Sequence, residues 1–409
     1  MLVSYRFANF RCFREEQELS LLAGSPRDRP ELVDLPGQGI HLLRVAGVYG
    51  GNASGKSTTL AALEFMRDAV GSSHQDWKPG EGVRLEPHAA GRQEASRFEA
   101  TFLAEGVLYT YSFKLDREQV LEEKLEASPH GRRQLWFDRS AGRAEPFVFG
   151  KQLRGENRTI ARLTRPNSLF LSAAAANNHP QLSPVYTWFT ERLGFVGKDD
   201  RLASLIFGFE DGPDSPSKEQ VLALVEKGDL GIHDYELREI ELGAGAASAL
   251  RVAASHPRPR ELRFAHRSER GEFWLPFHRE SQGTLAWFGL LRPVLRSLKT
   301  GGVLCVDELD ASLHPHLVRE VVRLFQDPSR NPGRAQLIFN THDSSLLGNV
   351  PDAAPLHRDE VWLTEKNAAG EARLFPLSDF KPRQEENLER GYLFGRYGGL
   401  PRLRFDSEG

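Results

Sequence analysis

The spacing of apolar and polar residues changes along the chain, and each change predicts an element. Leu2-Val-Ser-Tyr-Arg-Phe7 and Glu16-Gln-Glu-Leu-Ser-Leu21 alternate with period two, predicting two strands joined by a turn at Asn9 to Arg11. Ser25 to Gly39, with its Pro, Asp and Gly, predicts a loop. His41 to Tyr49 returns to strand, and its Val45–Tyr49 half is apolar enough to be buried. Leu60-Ala-Ala-Leu-Glu-Phe-Met66 then takes up a helical period, and Gly71 to Gly91 is polar and irregular. Arg97–Leu103 and Val107–Leu115 alternate on either side of Glu105-Gly106, predicting a hairpin. Val120–Ala127 and Gln134–Arg139 predict a second one across Pro129-His-Gly131.

The second half of the chain predicts mostly helices and buried strands. Helices are expected around Val185, Trp188 and Phe189, from Pro216 to near Gly228, and over Leu285–Leu291 behind a polar Glu280-Ser-Gln-Gly-Thr284. Pro315–Phe325 predicts another, with Leu317, Val318, Val321, Leu324 and Phe325 on one face. Gly302–Val306 and Gln336–Asn340 read as core strands, and Glu360–Thr364 and Arg373–Leu377 as strands of a short tail. No heptad register is sustained, so no long coiled-coil arm is expected, and no internal repeat is visible.

Four of these element boundaries carry candidate chemistry. Gly50-Gly-Asn-Ala-Ser-Gly-Lys-Ser57 fits the phosphate-loop pattern, and it lies between a predicted strand and a predicted helix. Glycines let the backbone wrap so that the N–H groups of Gly50, Asn52, Ala53, Ser54, Gly55 and Thr58 converge on phosphates at a helix start. Lys56 reaches the β- and γ-phosphates of ATP, and the Ser57 hydroxyl can ligate Mg²⁺. Downstream, a core strand ends in Asp307-Glu308, where Asp307 would hold Mg²⁺ and Glu308 would act as general base on the attacking water. His342 leaves the next core strand, either as a structural histidine or as a partner of the γ-phosphate and that water. Ser281 is either an N-cap alone, or together with Gly283 a second anion site at a helix start.

Composition narrows the partners. In 409 residues, 40% are hydrophobic and 27% charged, the balance of a soluble globular protein with one large domain or two intimate lobes. A formal net charge of −3 argues against a uniformly basic nucleic-acid binder but is compatible with a local basic groove. The two cysteines, Cys12 and Cys305, lack metal-ligand spacing and fit a reducing compartment. With neither a signal pattern nor an apolar run of membrane length, a cytoplasmic protein with no membrane partner is expected.

Taken in order, these motifs resemble those of the ABC-type P-loop ATPases, which include the SMC and RecF proteins. The resemblance assigns Gly50–Ser57 to Walker A, Ser281–Thr284 to the signature loop, Asp307–Glu308 to Walker B, Asp310 and Ser312 to the D-loop, and His342 to the switch histidine. Ala8-Asn-Phe-Arg-Cys-Phe13 and Gly395-Arg-Tyr-Gly-Gly-Leu-Pro401 narrow it to the bacterial RloA-like AAA/ABC ATPases of abortive infection and anti-phage defence. Two departures stand out. The signature begins Ser-Gln-Gly-Thr instead of Ser-Gly-Gly, and no Q-loop glutamine is assigned, although Asn177, Asn178 and Gln181 lie in the corresponding region.

The resemblance implies an α/β fold: an ABC-type P-loop NTPase with an attached antiparallel β block and a helical lobe. Residues 1–166 would form the Walker A lobe with the β block, 167–300 the helical lobe with the signature loop, and 301–409 the rest of the ATPase core and a tail. It further implies slow Mg²⁺-dependent ATP hydrolysis in a head-to-tail homodimer, where Ser281 and Gly283 of one copy complete the ATP site of the other. The tail is too short for the Toprim nuclease of related OLD proteins, and Asp406 and Glu408 read as a solvated end, so a nuclease or toxin effector is expected in trans. A DNA-repair clamp of RecF/SMC type is the alternative, and a P-loop small-molecule kinase is a weaker third reading.

Overall fold

A computed structural model describes residues 1–24, 29–35, 39–129, 131–197, 201, 214–239, 260–269, 271–348, 356–382 and 386–400. The chain opens with β1 (Leu2–Ala8) and β2 (Gln17–Ser20), a small hairpin of β3 (Val33–Leu35) and β4 (Ile40–Leu42), then β5 (Val45–Gly50) and α1 (Lys56–Asp76). Next come β6 (Ser96–Ala104), β7 (Val107–Leu115), β8 (Val120–Ser128), β9 (Gln134–Ser140) and a short β10 (Phe147–Phe149). Helices α2 (Asn157–Leu163), α3 (Phe170–Ala176) and α4 (Ser183–Glu191) lead to β11 (Leu193–Val196) and α5 (Lys218–Lys227). Strands β12 (Ile232–Glu239), β13 (Arg260–Ser268) and β14 (Gly271–Pro276) precede α6 (Gln282–Thr300) and β15 (Val303–Val306). The remainder is α7 (Pro315–Gln326), β16 (Gln336–Asn340), β17 (Val361–Lys366), β18 (Ala372–Pro376) and α8 (Leu388–Leu393).

Two sheets divide the chemistry from the support. One has the order β11-β15-β16-β5-β17-β18. Its first five strands run parallel and β18 pairs antiparallel at the edge. The strands β5, β15 and β16 are buried at every position, as a parallel sheet covered on both faces requires. The other sheet, ordered β10-β9-β8-β7-β6-β1-β2, is the antiparallel block. Its hairpin turns at Glu105 (φ 48°) and Gly106 (φ 78°), the left-handed pair of a type I′ turn. Helices α1, α3 and α4 pack beside this sheet, where Trp188 of α4 stacks on Phe102 of β6 with ring centroids 4.0 Å apart. The fold is thus the expected α/β class with its β block, and no described helix is long enough to form a coiled-coil arm.

Three local expectations change. The stretch from His41 to Tyr49 is two strands, not one. At Leu43 and Arg44 the chain passes between sheets, as Leu43 N–H bonds to Leu21 and the buried Arg44 donates to the Glu31 and Asn331 carbonyls. Helix α1 runs past Gly71 to Asp76 because its polar residues find partners on the neighbouring helices. Ser73 Oγ accepts from Leu169 N–H at 3.1 Å, and Ser172 Oγ accepts from His74 N–H at 3.1 Å. Between α5 and α6 a three-stranded antiparallel sheet, β12-β13-β14, was not anticipated; its Tyr235 and Phe264 pack edge-on against Phe288 of α6. Pro216 stands just outside α5, which is capped instead by a reciprocal Ser217–Gln220 capping box. The tail residues Pro401, Asp406 and Glu408 lie outside the described residues.

Candidate functional site

Because β5, β15, β16 and β17 are parallel, the segments that leave their carboxyl ends meet along one edge of the sheet. There a cavity of about 550 Å³ is lined by Asn52, Ala53, Gly55, Lys56, Ser57 and Thr58, by Glu308, Asn340 and His342, and by Arg11, Cys12 and Lys366. Residues far apart in the chain thus converge: the phosphate loop, the second carboxylate after β15, and the histidine after β16.

The phosphate loop is held on both sides. Thr364 of β17 donates to the Tyr49 carbonyl (3.2 Å), and the Ser54 hydroxyl lies 2.6 Å from Thr364 Oγ1. Gly55, at φ 117°, is the N-cap of α1, and a Cβ there would lie 2.7 Å from Phe13 Cζ. That position therefore demands glycine both for its backbone and for the close approach of Phe13. No side chain caps α1, so its first-turn N–H groups are left for an anion. Lys56 is buried, and its ammonium donates to the carbonyls of Gly50 (2.9 Å) and Gly51 (3.1 Å). Burial lowers its pKa, while the carboxylates of Asp310, Glu308 and Asp307 act in the opposite direction.

Opposite the loop, Asn340 holds both acidic residues, one by its backbone and the other by its carboxylate. Its Oδ1 accepts from the Glu308 N–H (2.8 Å), and its Nδ2 donates to Asp307 Oδ1. Asp310 does not line the cavity; both of its carboxylate oxygens accept from the His342 N–H (3.3 Å), so it sets the backbone of that histidine. Asp307, Gly50 and Ser54 also lie outside the lining, the last two as structural parts of the loop. Ser281 and Gly283 are absent from the lining as well. Ser281 is the N-cap of α6, accepting from Thr284 N–H (3.0 Å), so its capping role is present in the fold. Asn177, Asn178 and Gln181 line no part of the cavity; Asn177 bonds to the Ala173 carbonyl and Gln181 accepts from Arg154 N–H.

Some cavity residues escaped the sequence reading. Arg11 and Cys12 lie in the β1–β2 turn, pinned by Asn9, whose side chain bonds to Gly91, Glu94 and His88 of the backbone. The aromatic motif around them was legible, but not the direction in which its Arg11 and Cys12 would point. Asn340 left a faint signal, a single polar residue ending an apolar strand. Lys366 left none.

The residues fit a nucleoside triphosphate with Mg²⁺. A buried ammonium and uncapped helix N–H groups suit phosphates, the Ser57 hydroxyl in the lining is a hard oxygen donor, and the Asp307 carboxylate, another such donor, is bonded to Asn340 of the lining. Bound there, the cation would neutralise phosphate charge. P-loop ATPases of this kind use ATP and Mg²⁺.

Comparison with known proteins gives distant structural likenesses and one family. The Smc head bound to the C-winged helix domain of ScpA aligns over 91% of this chain and 96% of its own, at 12% identity and a TM-score of 0.39. The Smc head with an extended coiled coil, bound to the C-terminal domain of ScpA derived from Pyrococcus furiosus, aligns over 97% and 98% at 11% identity and a TM-score of 0.38. A search of curated proteins finds no match. The family described as "AAA domain, putative AbiEii toxin, Type IV TA system" matches residues 45–348, from the strand before the phosphate loop to just past His342, and the chain belongs to this family of P-loop ATPases.

Proposed function

We propose that this protein hydrolyses ATP slowly and uses it to gate a homodimer, as the sensor or regulator of an anti-phage, abortive-infection-type system whose effector acts in trans. One observation carries the enzymatic part of the reading. Lys56, Ser57, Glu308 and His342 face a single cavity, although β15 and β16 with their following segments lie more than two hundred residues beyond the loop. In this reading Lys56 holds the phosphates, Ser57 and Asp307 hold Mg²⁺, and Glu308 takes the proton of the attacking water that His342 helps to orient.

The dimer part of the reading is supported by the exposed start of α6, which lies outside the cavity of its own copy. Ser281 and Gln282 are exposed, and Gly283 backs onto the D-loop, where a Cβ would lie 3.1 Å from the Ser312 carbonyl. An exposed helix start outside its own cavity is available to the nucleotide of a second copy, in a closed two-fold pair. The γ-phosphate would then supply the differential contact that favours the closed state, and hydrolysis would remove it. The family description, with its toxin–antitoxin system, supports the defence role. On this reading the segments 1–166, 167–300 and 301–409 supply Walker A, the signature loop and Walker B.

The test is the mass in solution of wild type, Lys56→Ala and Glu308→Gln, each with and without ATP and Mg²⁺. Glu308→Gln keeps the site but loses the base, so it alone is expected to accumulate a stable dimer with ATP. A mass indifferent to ATP in all three proteins would remove the ATP-gated dimer from the proposal.

A further inference from the structure

The turn that presents Glu308 is held in a conformation its sequence disfavours. Glu308 (φ 49°) and Ser312 (φ 61°) both occupy the left-handed region, which residues with a side chain seldom adopt. Asn340 fixes the turn through its N–H and carboxylate groups. Its carbonyl side is fixed by Arg201, from the segment that follows β11. The Arg201 side chain is buried, and its guanidinium donates to the carbonyls of Glu308 (2.6 Å), Ala311 (3.1 Å) and Asp307 (3.2 Å). Burial lowers the pKa of this guanidinium, opposed by Asp310, Glu308 and Asp307, and an arginine so placed stays charged.

Arg201 also touches the helix behind the signature loop. A Cβ at Gly289 of α6 would lie 2.4 Å from the Arg201 carbonyl, so helix and residue are in close contact and only glycine fits. At the start of the same helix, Gly283 rests on Ser312 of the D-loop. The helix that carries the exposed signature loop therefore reaches the Glu308 turn directly at its first residues and a second time through Arg201.

We infer that Arg201 is a positioning residue for hydrolysis: it holds the Asp307–Ala311 turn so that Glu308 faces the cavity, and it couples that turn to α6 and hence to the signature loop. The inference rests on the ATP-hydrolysis reading above. Three carbonyls share one planar cation, and a lysine, lacking the fork, cannot bind all three in this geometry. Without the guanidinium the left-handed Glu308 keeps Asn340 at its N–H and the Ala311 N–H at its carbonyl but loses the cation that ties that carbonyl to those of Asp307 and Ala311, while the phosphate loop, built from other elements, keeps its contacts.

The experiment measures two quantities on folded protein: affinity for a fluorescent ATP analogue and phosphate release at saturating ATP. The proteins are wild type, Glu308→Gln, Arg201→Ala, Arg201→Lys and Gly289→Ala. Arg201→Ala is expected to bind the analogue within about threefold of wild type while its turnover falls at least about tenfold. Arg201→Lys should lie between the two, and Gly289→Ala should lose turnover although every side chain of the site is intact. If Arg201→Ala does not fold, the other two variants are read by the same criteria. Turnover within about twofold of wild type, or affinity and turnover falling in parallel, would overturn the inference. Wild type releasing no more phosphate than Glu308→Gln would overturn the ATPase reading itself.

Discussion

At the scale of single residues, burial and charge compete, and Glu360 shows which wins where. It is fully buried beside Arg29, yet the Arg29 guanidinium is taken up by Asp359 (2.7 Å) and Glu31 (2.7 Å) and lies 3.6 Å from Glu360. Glu360 Oε2 accepts from His357 N–H (2.8 Å), which does not offset desolvation, and the carboxyl pKa rises from 4.5 to about 8. The folded state thus binds this proton more tightly than the unfolded chain. The stability it contributes is fully present below about pH 4.5 and is lost as pH rises through about 8. Glu360→Gln removes that dependence. Urea denaturation at pH 5, 7 and 9 should show the variant gaining on wild type with rising pH, by on the order of a few kcal/mol across the range. A constant difference would mean that Arg29 keeps Glu360 ionised throughout. The sequence displays Asp359-Glu360 as an ordinary acidic pair; only tertiary burial makes Glu360 a titrating group, and Arg29, more than three hundred residues away, opposes that shift without cancelling it.

At the scale of elements, periodicity was a reliable guide where one face is wet and a weak one where partners decide. The hairpin of β6 and β7 was legible because a two-residue left-handed turn and strict alternation specify it locally. Helix α1 outran its expected end because the Ser73 hydroxyl and the His74 N–H are bonded at the start of α3, information that no local window contains. The strands β12 and β13 alternate visibly, as in Tyr235-Glu-Leu237 and Leu262-Arg-Phe264, so their signal was present and unread. Large aromatic side chains join the antiparallel block to its helices. Trp188, 2% exposed, stacks on Phe102 and meets Phe189 edge-on. Trp188→Ala should cost about 3–5 kcal/mol in chemical denaturation. A cost under about 1 kcal/mol would mean that the cavity collapses and that α4 is not the anchor of this lobe.

At the scale of the whole molecule, the cavity is built from elements that meet within one copy, while the start of α6 is exposed away from it, and the proposed dimer would bring the two together. Ser281→Arg is the corresponding prediction. It places a large cation at the exposed start of α6, away from the cavity, and should leave ATP-analogue affinity of the monomer within about twofold while abolishing the ATP-dependent dimer in a Glu308→Gln background. A dimer that persists in sedimentation would show that the pair forms through another surface. The sequence by itself determined where the phosphate loop, the carboxylate pair and the histidine stand, because each is a short motif at the end of a strongly patterned strand. It determined the α/β class for the same reason, since period is a local property. Only the tertiary structure decided that β16 lies between β5 and β15, that Asn340 and Arg201 hold the Glu308 turn, and that Phe13 braces Gly55. Those contacts join residues with no common period, through backbone carbonyls and close approaches that any side-chain pattern leaves unspecified.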